Sequence, residues 1–84
     1  MVRYISHAKE RMKERSITET EVEETLARPL ETVPTRYGGS AACALQESGR
    51  CLVVIFERSQ EGFLVITALK VDEDRARRLG FTRV

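Results

Sequence analysis

The spacing of apolar residues changes near Leu30, and this change constrains the fold more than any other feature of the sequence. Before Leu30 the apolar residues recur every three to four positions, as in a helix, and after it they alternate as in strands. We therefore predict helices near residues 6–15 and 18–28, followed by an antiparallel meander over about residues 41–70. This order is typical of an α+β fold in which two N-terminal helices pack on one face of a small antiparallel sheet.

Both helices have recognisable starts. Ser6 is the predicted N-cap of the first helix. Thr18 is the predicted N-cap of the second, and Glu21, three residues later, completes a capping box. Arg28 and Pro29 are expected to end the second helix, because the residue before a proline is disfavoured in helical conformation.

The second half of the chain alternates strands and turns. Strands are predicted at residues 41–47, 50–57 and 63–70. The preceding segment, residues 30–37, is interrupted by Pro34 and is expected to be an edge strand or a loop. Residues 72–79 place acidic residues first and arginines last, which favours a short C-terminal helix.

The first hairpin determines which strand residues share a face. With Ser48 and Gly49 as a two-residue turn, Cys43 lies opposite Val54 and on the other face from Cys51. We therefore expect two free thiols rather than a disulfide. One His and two Cys without CxxC spacing are too few for a zinc site, so neither a metal nor another cofactor is expected.

Length and composition limit the class of protein. The 84 residues are enough for one domain, residues 1–84. A formal net charge of +1 is low for a general nucleic-acid binder, so RNA binding would have to depend on a local basic patch. The longest apolar run, residues 51–56, is too short to cross a membrane, and the first residues lack the apolar region of a signal peptide. We expect a cytoplasmic protein with no membrane association.

The predicted central strand, residues 51–56, is apolar on both faces. Two helices can cover only one of these faces, so either residues 71–84 or another chain must cover the second. The C-terminal segment has few large apolar residues. We therefore expect the protein to form a homodimer or a hetero-complex instead of a stable lone monomer.

The N-terminal helix carries the densest group of chemically capable residues. His7, Arg11 and Arg15 stand at i, i+4 and i+8 and form one row along the helix. Arginine gives fixed donors to phosphate oxygens, and a neutral imidazole can accept a proton near neutral pH. The alternative is a solvated surface row that pairs with Glu10 and Glu14.

Two further polar residues lie near the predicted sheet. Lys70 closes the last strand of the meander, and Tyr37 precedes the Gly38-Gly39 turn. Either side chain is within reach of the sheet edge beside the first helix.

The stretch from His7 to Ile17 resembles a known family pattern. It carries His-Ala, then Arg-Met, then Glu-Arg and Ile, and Ile66-Thr67 resembles the pair that ends the family's last strand. The pattern is similar to that of a family of small bacterial and archaeal proteins, the domain of unknown function DUF4258. One difference is Ser16, where glycine is usual, and it affects only the turn between the helices.

This family looks like a branch of the RelE/ParE toxin superfamily, near the BrnT toxins. The resemblance implies a RelE/ParE-like fold of two helices on an antiparallel sheet, a metal-independent endoribonuclease activity, and an antitoxin protein as partner. His7, Arg11 and Arg15 are the positions that match the family motif.

The leading hypothesis is a toxin-like protein that acts on RNA. Arg11 and Arg15 would hold the phosphate, His7 would act as acid or base, and Lys70 would be an auxiliary cation. The rival hypothesis is a non-catalytic binding module on the same scaffold, in which His7 and Arg11 form structural hydrogen bonds between helix and sheet. An exposed His7 ring favours the first hypothesis, and a buried, hydrogen-bonded ring favours the second.

Overall fold

A computed structural model describes residues 1–36 and 38–84 of the chain. The described residues form a mixed five-stranded sheet and three helices. In chain order the elements are β1 (Val2–Tyr4), α1 (Ala8–Glu14), α2 (Glu19–Ala27), β2 (Glu31–Pro34), β3 (Ser40–Leu45), β4 (Cys51–Ser59), β5 (Gly62–Val71) and α3 (Glu73–Arg78). The predicted α+β class, the two N-terminal helices and the short C-terminal helix are confirmed. The expectation that the helices come first is wrong, because β1 precedes them.

The strands follow the order β1-β5-β4-β3-β2. β3 to β5 form the predicted antiparallel meander, and β2 pairs with β3 antiparallel at one edge. β1 adds to β5 in parallel, so the sheet is not purely antiparallel. Three residues are too few to show an alternating pattern, which is why β1 was missed. Its approach to β5 requires a glycine at position 62, where a Cβ atom would overlap the Met1 carbonyl oxygen.

The start of α2 is confirmed. The Thr18 hydroxyl accepts a hydrogen bond from the Glu21 amide at 3.1 Å, and the Glu21 carboxylate accepts one from the Thr18 amide at 2.9 Å. The predicted cap of α1 is wrong, because His7 occupies the N-cap position and its side chain makes no capping hydrogen bond.

The end of α1 is a left-handed cap at Ser16, whose φ is +57°. The Ile17 amide donates to the Met12 carbonyl at 2.8 Å, and the Ser16 amide donates to the Lys13 carbonyl at 3.2 Å. These two bonds define a Schellman motif, which satisfies the last carbonyls of a helix. Glycine is favoured at this position because it has no Cβ, so Ser16 adopts a conformation that a glycine would adopt at lower cost.

The register of the first hairpin differs by one residue from the prediction. The loop has three residues instead of two, since the Gln46 amide donates to the Arg50 carbonyl at 2.9 Å and Gly49 takes a φ of +86°. Cys43 therefore pairs with Val53, not Val54. A one-residue shift moves every side chain of one strand to the opposite face, so Cys43 and Cys51 share a face.

Both cysteines are free and buried, so the prediction of free thiols is confirmed although the reason given for it is wrong. Burial raises the pKa of the Cys43 thiol to about 11, with a smaller contribution from Cys51. The thiols thus behave as small apolar core groups.

The sheet separates two apolar cores. The first lies under α1 and α2 and contains, among others, Met12, Val22, Leu26, Leu52, Val54 and Phe56. The second lies under α3 and the C-terminal residues and contains Ala41, Cys43, Cys51, Val53, Val71, Ala76 and Phe81. The C-terminal segment therefore covers part of the second face, one of the two ways in which the sequence analysis expected it to be covered.

The remaining elements lie close to their predicted positions. α3 begins after Asp72, whose carboxylate accepts a hydrogen bond from the Arg75 amide at 2.8 Å. β2 is an edge strand of the sheet, one of the two expected outcomes for residues 30–37. The hypothesis about Tyr37 concerns a residue outside those described. No helix in the described ranges is long and apolar enough to cross a membrane.

Candidate functional site

The His7 ring is exposed to solvent at the start of α1. Its side chain is 73 % exposed, and its Nδ1 atom lies 3.3 Å from a carboxylate oxygen of Glu10, one turn further along. Arg11 follows on the same row and is also exposed. The helix therefore presents an imidazole oriented by a carboxylate, with a guanidinium one turn away.

Arg15, the third member of the row, binds the sheet. One terminal nitrogen of its guanidinium donates to the Ala68 carbonyl at 2.8 Å and to the Thr67 hydroxyl at 3.2 Å. β1 pairs with β5 only as far as Val65, so Ala68 lies beyond the last residue that β1 reaches. Arg15 thus supplies a hydrogen-bond donor to the part of β5 that β1 does not reach, and it fastens the end of α1 to β5.

The contact between Arg15 and Thr67 joins two parts of the sequence pattern that lie 52 residues apart. In the sequence Arg15 and Thr67 belong to separate parts of the family pattern, and nothing there indicates that they pair. The structure shows that they meet at the junction of α1 and β5.

Lys70 is bound at the same junction. Its ammonium group donates to the Ser16 carbonyl at 3.1 Å and lies 4.0 Å from a Glu21 carboxylate oxygen, with 24 % of the side chain exposed. The same Glu21 oxygen accepts a hydrogen bond from the Gln46 side chain at 2.8 Å. The pKa of Glu21 is lowered, chiefly by the Thr18 amide and against the effect of burial, with a contribution from Lys70.

The four predicted site residues thus divide into two pairs. Arg15 donates to the Ala68 carbonyl of β5, and Lys70 donates to the Ser16 carbonyl just after α1. His7 and Arg11 are exposed on the helix surface. At a helical rise of about 1.5 Å per residue, His7 and Arg15 are about 12 Å apart along the axis, so one phosphate cannot contact both closely.

One unusual polar group was not anticipated from the sequence. The Tyr4 hydroxyl is buried, and no hydrogen-bond partner for it lies within residues 1–36 and 38–84. Burial and the nearby charges of Glu23 and Glu19 raise the pKa of Tyr4 to about 12, while the Lys9 ammonium lies 5.2 Å from the centre of its ring. The hydroxyl is neutral at physiological pH and fits a structural role under α2.

Two clefts lie away from His7 and Arg11. One of about 740 Å³ lies between α2 and the β3–β4 hairpin and includes Glu21 and Gln46 in its lining. Another of about 590 Å³ lies on the second face beside Ile55 and Leu79. Neither is lined by His7 or Arg11, and both of these side chains are exposed. Among the described side chains, no group of three or more His, Cys, Asp and Glu is placed to hold a metal ion.

The structure is a small α+β domain with two helices on one face of a mixed sheet. The model of one family, Domain of unknown function (DUF4258), matches residues 4–70, and the chain belongs to this family. The match includes α1 and nearly all of β5, but not α3 or the residues after it. Comparisons with curated proteins and with solved structures each found no match.

Proposed function

We propose that this protein acts on RNA as the toxin-like member of a toxin–antitoxin pair, as a metal-independent endoribonuclease. The observation that carries the proposal is the exposed His7 ring, which has Glu10 at 3.3 Å and Arg11 one turn away on the same row. A histidine needed only for packing would be buried against the sheet and bonded to a carbonyl. His7 is instead available to a ligand.

The reaction is an internal transfer at a phosphodiester. The RNA 2′-hydroxyl attacks the adjacent phosphorus, the new 2′-O–P bond forms and the P–O5′ bond breaks, giving a cyclic phosphate and a free 5′-hydroxyl. His7 takes the proton from the 2′-hydroxyl while the Glu10 carboxylate orients the ring, and water supplies the proton for the departing oxygen. Arg11 stabilises the negative charge that develops on the phosphorane oxygens.

Arg15 and Lys70 serve this site by holding α1 in place. Both donate to main-chain carbonyls, and their hydrogen bonds fix the end of the helix against β5 and the α1–α2 turn. Their positive charges also add to the local potential that attracts a polyanion.

The exposed surface around His7 and Arg11 is suited to binding a polymer such as RNA. His7 and Arg11 line neither of the two main clefts, whereas small-molecule sites are usually concave. Two helices packed on one face of a sheet also agree with the RelE/ParE-like architecture that the sequence pattern resembles. The proposal places the protein in the cytoplasm, where it has RNA and an antitoxin as partners, and includes assembly with an antitoxin or a second copy.

A non-catalytic binding module is the second candidate. The sequence-based form of this hypothesis, in which His7 and Arg11 form the structural bonds between helix and sheet, is wrong, because both residues are exposed. Arg15 and Lys70 make such bonds instead, and this structural use of two of the four predicted site residues favours a binding module. In this case α1 would hold RNA or protein without cleaving it.

The decisive experiment compares Arg11→Ala with Arg15→Ala in an assay of RNA cleavage and growth arrest by the full chain. Because Arg11 is exposed, Arg11→Ala is expected to lower cleavage by about 100-fold or more while the melting temperature hardly changes. Arg15→Ala is expected to lower the melting temperature, because the Ala68 carbonyl loses its donor.

Lys13→Ala is the matched control, since Lys13 is an exposed cation on the same helix and outside the row. Cleavage that survives Arg11→Ala unchanged would contradict the nuclease proposal. RNA binding without cleavage by the unaltered chain would favour the binding module.

A further inference from the structure

The cleft on the second face of the sheet combines apolar side chains with arginines. Its volume of about 590 Å³ falls within the range of about 300–1,000 Å³ that is usual for small-molecule sites. The apolar part of the lining includes Ile55 of β4, Ile66 of β5 and Leu79 just after α3. Leu79 is 42 % exposed, and both isoleucines are half-buried. A ligand in the cleft would therefore remove apolar side chains from water without displacing any part of the chain.

An irregularity of the sheet places Ile66 in this cleft. Two consecutive residues of β4 pair with Thr67 and Val65, so Ile66 is an extra residue of β5, a β-bulge. In a regular strand, residues three apart lie on opposite faces, yet Val65 and Ala68 both belong to the first core. The bulge thus allows Ile66 to line the second face between two residues of the first core, and bulges often redirect a side chain in this way beside functional sites.

Two arginines from different parts of the chain line the same cleft. Arg36 follows β2, and Arg78 is the last residue of α3. Both are exposed, and neither forms an ion pair with another residue of the described ranges. Glu57 is the one carboxylate among the described lining residues, so these carry two positive charges and one negative charge. A guanidinium presents its N–H donors in a fixed geometry that matches a carboxylate.

We infer that this cleft binds a small organic monoanion, namely a carboxylate attached to an apolar chain or ring. The apolar part lies against Ile66 and Leu79, and the carboxylate accepts hydrogen bonds from Arg36 and Arg78. A neutral compound of the same shape leaves both guanidinium groups without a charged acceptor, and a second negative charge on the ligand is repelled by Glu57.

This site is separate from the proposed action on RNA. Neither His7 nor Arg11 lines the cleft, so the failure of one proposal leaves the other standing. Arg78 and Leu79 also lie after residue 70, where the family match ends, so membership of the family does not by itself imply the site.

The cleft between α2 and the β3–β4 hairpin provides an internal comparison. Its lining contains three carboxylates, those of Glu21, Glu24 and Glu47, and one arginine, Arg28. Like charges disfavour an anion there, so we expect the ligand to distinguish the two clefts.

The test titrates the full-length chain with hexanoate and, separately, with 1-hexanol, which has the same number of carbon atoms. Methyl signals are followed by NMR. Hexanoate should shift the signals of Ile55, Ile66 and Leu79, and it should leave those of Leu45 and Leu52, which line the other cleft, unchanged. We expect hexanoate to bind about ten-fold more tightly than 1-hexanol, because the alcohol cannot accept charged hydrogen bonds from both arginines.

Substitutions test the role of charge. The double variant Arg36→Gln, Arg78→Gln should lower the affinity for hexanoate about ten-fold and leave that for 1-hexanol unchanged. Glu57→Gln should raise the affinity for hexanoate, because it removes a like charge. The matched control is Arg50→Gln, at an exposed arginine that lines neither cleft. All of these side chains are exposed, so the variants should keep the methyl signals of the first core.

Three results would overturn the inference. The first is equal affinity for hexanoate and 1-hexanol, or no binding of hexanoate at millimolar concentration. The second is a double variant that changes hexanoate affinity no more than Arg50→Gln does. The third is a set of shifts as large at Leu45 and Leu52 as at Ile66 and Leu79, which would show that the anion does not distinguish the clefts.

Discussion

The two faces of the sheet are covered in different ways. On the first face, α1 and α2 bury five apolar side chains, namely Ala8, Met12, Ile17, Val22 and Leu26. Arg15 and Lys70 fasten the end of α1 and the turn after it to β5, and a capping box fixes the start of α2. On the second face, α3 and the residues after it bury Ala76 and Phe81 and depend on Glu31. The comparison shows that the two apolar faces of one central strand are closed by different means, one by two helices and the other by a shorter segment with fewer buried side chains.

The largest effect is expected on the first face, from Met12→Ala. Met12 is 2 % exposed and also accepts the main-chain hydrogen bond that ends α1. Loss of its side chain leaves a cavity in the first core, and we expect the free energy of unfolding to fall by about 2–5 kcal/mol. Urea unfolding followed by circular dichroism measures this change.

Leu79→Ala is the matched control on the second face, because Leu79 is 42 % exposed and should change the same quantity little. If Met12→Ala and Leu79→Ala cost the same, the proposed difference between the covers is wrong.

A smaller effect should come from acid, which acts on the second cover through Glu31. The pKa of Glu31 is lowered, because hydrogen bonds from the Arg83 and Thr82 amides and the charge of Arg83 outweigh burial, which acts in the opposite direction. A lowered pKa means that Glu31 stabilises the cover fully above its ordinary value near 4.5, and that this stabilisation is lost as the pH falls through the lower folded value.

Titration of the main-chain amide signals by NMR tests this expectation. The Thr82 and Arg83 signals should shift below pH 4.5 in the unaltered chain, and Glu31→Gln should abolish the shift. Loss of the β4 signals over the same pH range would show that acid unfolds the whole domain instead of weakening the contacts of Glu31.

The smallest effect, and the only gain in stability, is expected from Ser16→Gly at the end of α1. Ser16 has a φ of +57°, where glycine avoids the Cβ strain, and we expect the substitution to stabilise the protein by about 0.5–1 kcal/mol. The melting temperature reports the change. Ser6→Gly is the control: Ser6 is not in the left-handed region, so the same substitution there should not stabilise.

Local signals in the sequence predicted most of the fold. Thr18 and Glu21 determine the start of α2 by contacts within four residues, and Asp72 does the same for α3. The predicted register of the hairpin was wrong because two kinds of loop suit nearly the same sequence. One is a two-residue turn at Ser48 and Gly49, and the other is the observed three-residue loop with Gly49 in the left-handed region. β1 was missed because its position depends on a distant strand, β5.

The candidate site was predictable only in part. The spacing of His7, Arg11 and Arg15 correctly placed all three on or beside one short helix. The spacing gave no indication that Arg15 donates to the Ala68 carbonyl, because that carbonyl lies 53 residues away in the sequence. The bond also lies beyond Val65, where β1 stops pairing with β5. The binding of Lys70 to the Ser16 carbonyl likewise requires the tertiary structure.

The Arg15 bond to Ala68 also bears on solubility. Beyond Val65, no strand within residues 1–36 and 38–84 pairs with β5 on the β1 side. An open stretch of main chain is a template on which another molecule can add a strand and begin to aggregate. The Arg15 guanidinium donates to the Ala68 carbonyl on this edge. We therefore expect the residue that fastens α1 to the sheet also to hinder strand addition by other molecules.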